Sequence, residues 1–366
     1  MKITDVEIRT CGVTELSSAE RGKLRGHHTP DVVVITLTTD EGLSGTAFGF
    51  GGLDAKICAP SFEAVKPFII GRDPMAREKN FQDFQFFDRR WNVLPIWVWG
   101  PFDVACWDIA GQAAGLPIYQ LLGAARERVP VYASSMFLEI DQDYLDEALE
   151  VQRRGYRGYK LHPPGPAERD MALYTAVREL VGPDYALMTD PVATHSYAEA
   201  VRVGRHLESL GYLWFEEPVC DHDMYTLQKL TATLDIPIAA TEAIAGLHTS
   251  TASYIANRAC DIVRADVSWR GGITGVMKIA TLAEAFGMKC EIHTSIYEAL
   301  EFGNLHCALA VSNSDFLELL YPVEDYSFGI RHGLPISDGY ASAPELPGLG
   351  VEYDWDWIDD ATIAKS

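Results

Sequence analysis

The sequence predicts an α+β module over residues 1–125, a parallel β/α barrel over 126–325, and a closing segment, 326–366, that packs back on the first module. Three observations carry this. Period-two alternation near the start gives way to helical spacing, as in an α+β unit. From Val129 a strand, loop and helix rhythm repeats eight times, with strand ends near Ser135, His162, Asp190, Glu216, Glu242, Asp266, His293 and Glu318. And 366 residues exceed the roughly 250 to 300 at which one core stops growing, so a second module is expected.

The elements follow in order. MKITDVEIRT and DVVVITLTTDEG alternate as antiparallel strands, and GLSGTAFGFGG then opens a glycine-rich loop. Residues 60–122 turn helical, most densely in PFDVACWDIAGQAAGLPIYQLLG, whose three-to-four spacing holds until Gly115 and Pro117. The barrel repeats advance by 27, 28, 26, 26, 24, 27 and 25 residues. They occupy roughly 200 residues, compact beside the roughly 250 of a typical eightfold barrel. The eighth strand, DFLELLY, precedes a proline- and glycine-rich tail, DGYASAPELPGLGVEYD, rather than a clear helix.

Composition narrows the partners. With 52 acids against 30 bases the net charge is −22, which would repel nucleic acid and anionic membranes. A small ligand or a metal fits better. MKITDVEIRT lacks the apolar core of a signal peptide and no run approaches 18 apolar residues, so a cytoplasmic protein is expected. Seven cysteines without a CxxC pair read as reduced, mostly buried thiols.

Asp190, Glu216 and Glu242 stand 26 residues apart (216 − 190 and 242 − 216), each closing a short apolar run: YALMTD, LWFEE and IPIAATE. One acid at a strand end ordinarily caps a helix or meets solvent. Three in equal register on a barrel, where strand ends converge on one face, suggest a metal centre. Three carboxylates suit Mg²⁺, whereas zinc more often recruits histidine or cysteine. On the preceding strand, Lys160 and His162 share a face. Two neighbouring cations would lower each other's pKa, which suits a base that must be neutral near pH 7. On later strands Asp266 can orient His293 and raise its basicity, and Glu318 offers another hydrogen-bonding group to the same cavity.

Together these residues resemble the enolase superfamily, specifically its mandelate racemase-like subgroup, over nearly the whole chain. The resemblance rests on residues 103–123, the KxH strand, Asp190, WFEEP, Glu242, DVSWRGGITG, His293 and PGLGVEYD. It implies an α+β capping domain over a (β/α)7β modified TIM barrel, with Mg²⁺ bound by Asp190, Glu216 and Glu242. It further implies that Lys160 polarises the substrate carboxylate, that Asp266 and His293 form an acid/base dyad, and that Glu318 stabilises the carboxylate or enolate. Two positions depart from the family pattern. His162 stands where lysine is common, so the opposite-face base is either His162 or Lys160. Val192 stands where asparagine is frequent, two residues after Asp190. The cycloisomerising branch carries a lysine at the sixth strand end, and Asp266 speaks against it.

The implied chemistry is removal of a proton α to a carboxylate, with the resulting charge absorbed by the metal, Lys160 and Glu318. His293 then protonates either a departing β-hydroxyl or the opposite face of the carbon. Dehydration of an aldonate or aldarate is expected, and racemisation or epimerisation of a 2-hydroxy acid is the alternative. The residues for specificity are expected in a loop from about Thr14 to His28, where Arg21, Lys23, Arg25, His27 and His28 face only Glu15 and Glu20. That cluster is equally a solvated charged loop. A second loop, about Phe48 to Pro60, has the glycines of a mobile lid. Expected partners are a small carboxylate substrate and further copies of the chain, as a dimer or octamer. Among rivals, an amidohydrolase barrel would need HxH where the first strand reads VYASSM, and a glycosidase barrel would leave the capping motifs unexplained. A non-catalytic barrel kept for binding remains the second class.

Overall fold

The computed structural model describes residues 1–13, 31–52, 55–163 and 165–366. Strands β1 (Ile3–Cys11), β2 (Asp31–Thr39) and β3 (Ser44–Gly52) form an antiparallel meander, and β14 (Thr362–Lys365) adds to the free edge of β1, giving the order β14-β1-β2-β3. The central strand β2 is apolar on both faces because both are covered. Val33, Ile35 and Leu37 enter the main core, while Val32 and Val34 pack with Tyr297, Leu300 and Ile358. The second set joins the sheet to the barrel and to the tail.

The glycine-rich stretch is not the mobile loop expected from its composition. Residues 48–52 belong to β3, and helix Ala55–Glu63 takes up the rest except residues 53 and 54, which are not described. The glycines serve close approach: a Cβ on Gly45 would lie 2.2 Å from the Ala105 carbonyl oxygen, and one on Gly49 would lie 2.8 Å from Pro101. Both neighbours belong to helix Gly100–Ala114, the helix of the DVACWDIAG motif.

The barrel consists of β4 (Arg128–Ser134), β5 (Gly158–Leu161), β6 (Ala186–Thr189), β7 (Phe215–Glu216), β8 (Ile238–Ala240), β9 (Ile262–Ala265), β10 (Lys289–Ile292) and β11 (Leu317–Leu320). All pair in parallel, and β11 closes on β4. A helix follows each of β4 to β10, and β11 leads instead into a short 3-10 turn, which is the (β/α)7β pattern. The tail then makes a hairpin, β12 (Ile336–Ser337) with β13 (Tyr340–Ser342), that adds antiparallel to β4, before it crosses to the first module through helix Trp355–Ala361 and β14. Inside the barrel Tyr132, Met188, Trp214, Ala239 and Ile262 form an apolar layer. Met188, Trp214 and Ile262 each stand two residues before a charged group, so the polar layer lies directly above them.

The motif aspartates bracket the modules. Helix Gly272–Ala285 starts at Gly271, which has no capping side chain, and Asp103 supplies one from the other module by accepting the Thr274 N–H at 2.9 Å. Trp107 Nε1 donates to the Thr274 hydroxyl at 3.0 Å. Asp108 accepts the N–H groups of Thr46 (3.1 Å) and Leu349 (2.8 Å), holding sheet and tail together. His306 accepts the Tyr119 N–H at Nδ1 (3.1 Å) and donates from Nε2 to the Leu349 carbonyl (3.0 Å). All seven cysteines are free thiols, and only Cys220 is exposed. No helix among the described residues is long and apolar enough to cross a membrane.

Candidate active site

The C-terminal ends of the barrel strands bring together eight of the residues singled out in the sequence. Asp190 follows β6, Glu216 ends β7, and Glu242 follows β8 by two residues. One carboxylate oxygen from each lies within 4.8 Å of the others. The backbone there is bent to aim them. Glu217 has φ +36° and the β-branched Thr241, immediately before Glu242, has φ +90°, a conformation that persists only where surroundings impose it. Thr241 is fixed by hydrogen bonds to the backbone of Arg264 on the next strand. Val192 does not replace the missing asparagine with a side chain. Its backbone N–H donates to Asp190 Oδ1 at 2.8 Å, and its side chain faces outward.

Beneath the triad lies a closed ionic layer. Lys160 is fully buried, with Nζ 3.0 Å from Glu216, 2.7 Å from Glu318 and 3.8 Å from Asp190. The expectation that its neighbour His162 would lower its pKa is corrected here. Burial does press the ammonium toward neutrality, but Glu216 and Glu318 outweigh it and the net shift is upward. Glu318 is the second residue of β11 rather than the end of that strand, so it sits a level deeper than expected. Arg264, on β9, completes the layer by donating to Glu216 Oε1 at 2.6 Å and to Glu318. Against the cost of burial, Arg264 and Lys160 hold Glu216 down to about 2 and keep Glu318 well below the usual carboxylate range.

Two histidines flank the triad in matching fashion. His162 Nδ1 lies 2.6 Å from the Ser135 carbonyl. A carbonyl only accepts, so Nδ1 carries a proton. His162 Nε2 is 3.3 Å from Asp190 Oδ2. On the other side His293 Nδ1 donates to Asp266 Oδ2 at 2.9 Å, and its Nε2 is 3.3 Å from Glu242 Oε2. Asp266 is itself held by the N–H groups of Ser268 (2.8 Å) and Trp269 (2.9 Å) and the Ser295 hydroxyl (3.0 Å). Glu242 Oε2 has no hydrogen-bond partner among the described residues. Burial, with Glu217, Glu216 and Asp190 nearby, pushes the Glu242 carboxyl well up. An orphaned oxygen within a crowd of like charges is the arrangement a hard divalent cation completes, and these donors fit Mg²⁺.

Sequence reasoning missed Arg264, although it alternates with Asp266 and interrupts an apolar strand, a signal that was available. Ser135, whose hydroxyl oxygen accepts the His162 backbone N–H, and Trp214 and Thr294, which donate to Glu216 and Glu318, carry no such signal. Arg21, Lys23, Arg25, His27 and His28 lie outside the described residues. A cavity of about 640 Å³ opens beside Glu242, between Phe84, Trp97 and Ile96 of the first module and Ile244, His222 and Trp269 of the barrel.

Comparison with known proteins places this geometry among relatives. The profile of the enolase C-terminal domain-like family matches residues 143–357, and that of the mandelate racemase / muconate lactonizing enzyme N-terminal domain matches 21–123. Arabinonate dehydratase of Saccharolobus solfataricus is 30% identical over 352 residues, covering 93% of this chain and 92% of its own. D-galactarolactone cycloisomerase of Agrobacterium fabrum is 29% identical over 350 residues, with 90% of each covered. The crystal structure of D-glucarate dehydratase from Agrobacterium tumefaciens, complexed with magnesium, superposes with a TM-score of 0.87 at 33% identity, over 100% of both chains.

Proposed function

Since the chain belongs to the mandelate racemase / muconate lactonizing enzyme family of the enolase superfamily, we propose that it is a hydro-lyase that dehydrates a sugar acid, an aldonate or aldarate, to a 2-keto-3-deoxy acid. The observation that carries this reading is the opposed pair of histidines, each with Nδ1 tied down and Nε2 directed at the triad. An elimination needs one group to accept the α-proton and another to donate a proton to the departing hydroxyl. His162 takes the α-proton, and His293, steadied by Asp266, protonates the β-hydroxyl so that water leaves. The enol that remains tautomerises to the 2-keto acid. Lys160 is the weaker candidate for the base because it is fully buried and already paired with carboxylates, so its part is to hold positive charge beneath the substrate carboxylate together with Arg264. Mg²⁺ held by Asp190, Glu216 and Glu242 would supply charge that offsets the negative charge developing on that carboxylate. The names of the relatives support a sugar acid as the substrate class. A homo-oligomer belongs to the same proposal.

Proton NMR of the protein with Mg²⁺ in D₂O, against a stereochemically complete panel of aldonic, aldaric and simple 2-hydroxy acids, tests it. Loss of the α-proton signal with growth of a 2-keto acid is expected. Exchange that yields a new diastereomer without elimination would replace the dehydratase reading by an epimerase, for which two opposed histidines are equally suited. No exchange with any acid, in protein that binds Mg²⁺, would refute both.

A further inference from the structure

Arg264 moves no proton in the reaction as described, yet it is the most heavily engaged side chain among the described residues of the site. Fully buried, it donates from Nε to Glu216 Oε1 at 2.6 Å, from Nη2 to Glu318 and to the Tyr132 hydroxyl (3.3 Å), and from Nη1 to the carbonyls of Glu291 (3.2 Å) and Ile292 (3.4 Å). Glu216 is correspondingly crowded. Its Oε2 accepts from Lys160 (3.0 Å) and from Trp214 Nε1 (3.0 Å), while Oε1 accepts from Arg264. A carboxylate offers about four lone-pair positions, so three are taken and one, on Oε1, is left for a cation. The partners of Glu216 are not equivalent to it: Asp190 Oδ1 accepts a single backbone N–H, and Glu242 Oε2 accepts nothing among the described residues.

We propose that Arg264 is a positioning residue that sets the effective charge of the three-acid centre, making Glu216 a deliberately weak donor. Drawing electron density from Glu216 lowers the affinity of the centre for a divalent cation and leaves more of the cation's charge for the substrate carboxylate. The inference rests on the proposed metal-assisted proton removal, but its central test does not. A purely structural role makes the opposite prediction, since loss of a buried clamp would disorder Glu216 and weaken cation binding.

The test uses Mn²⁺ as a paramagnetic probe, with free ion followed by electron paramagnetic resonance on the whole chain without substrate. Arg264→Gln, which keeps hydrogen-bond donors but not the charge, is expected to bind Mn²⁺ about tenfold tighter than the unmodified protein, within the roughly 10- to 100-fold reach of groups that contact metal ligands. Its rate of α-proton exchange is expected to fall about tenfold or more. Arg264→Lys, which keeps the charge, should stay within about threefold of the unmodified Mn²⁺ affinity. Should Arg264→Gln not fold, Trp214→Phe removes one neutral donor from the same carboxylate and should tighten binding by about twofold to fivefold. Weaker or unchanged Mn²⁺ binding in a folded variant would overturn the inference. Tighter binding in a protein that turns over no sugar acid would uphold it while removing the proposed function. Absence of Mn²⁺ binding in the unmodified protein would overturn both.

Discussion

His306 should make this protein acid-sensitive by an amount that can be worked out. It is fully buried on helix Glu298–Ala310, and both ring nitrogens are used by backbone groups of other segments. Burial pushes its pKa down to about 4 from 6.5, the Leu349 carbonyl opposing only in part. Above pH 6.5 the ring is neutral in folded and unfolded chains alike and contributes nothing pH-dependent. As pH falls below 6.5 the unfolded chain takes up a proton that the folded chain refuses, so stability drops until the pH reaches the folded value near 4. Between pH 8 and pH 5 that integrates to about 2 kcal/mol, at about 1.4 kcal/mol per pH unit. Buried carboxyls such as Asp103, pushed up to about 7 by burial, and Glu301, pushed up to about 8 by burial, work in the other direction, because the folded chain holds their protons more tightly. The measurement is therefore a double difference: urea unfolding of the unmodified protein and of His306→Gln, each at pH 8 and pH 5. Glutamine has an amide N–H and a carbonyl oxygen for the same two partners and no charge to gain. The unmodified protein should lose about 2 kcal/mol more than the variant. Curves that move in parallel, within about half a kcal/mol, would refute the buried neutral histidine.

Two further expectations concern the modules and the two flanks of the site. Asp103→Ala removes the only side-chain cap on helix Gly272–Ala285 among the described contacts and should lower stability by about 1 to 2 kcal/mol, while Asp103→Asn, still able to accept the Thr274 N–H, should cost clearly less, as read by thermal unfolding. Replacing His293 by Asn should reduce dehydration by about 100-fold or more yet leave α-proton exchange with D₂O detectable by NMR, whereas His162→Asn should abolish both; equal loss of exchange in the two variants would contradict the division of labour.

Some of this could be read from residue order alone and some could not. The strand ends were legible because each parallel strand is a short apolar run stopped by a polar residue, and a fixed repeat length brings those stops to one face. Glu318 is a level deeper than its spacing implies, since alternation gives the face a side chain points to but not its height. The pKa of Lys160 is not legible from its sequence neighbour, a histidine, because the carboxylates that decide the matter come from strands 56 and 158 residues away (216 − 160 and 318 − 160). The glycines of β3 suggest mobility by composition alone, which does not distinguish a free hinge from a surface on which a helix rests; Ala105 and Pro101 decide it. In the same way Asp103 and Asp108 could be seen as part of a motif, but not that they reach Thr274 and Leu349.

The pairing of β14 with β1 has a bearing on how the molecule comes together. The first sheet contains a strand from residues 362–365, so during synthesis its outer edge stays bare until the whole barrel has been made. An unpaired edge is an invitation to pair with another chain. The cover of the active site is thus the last part to be completed, and a protein halted before residue 362 would carry a finished catalytic barrel beneath an adhesive, half-built roof. Extensions fused beyond Ser366 act on that same seam, where Ile8 and Ser366 exchange both backbone hydrogen bonds at 2.9 Å.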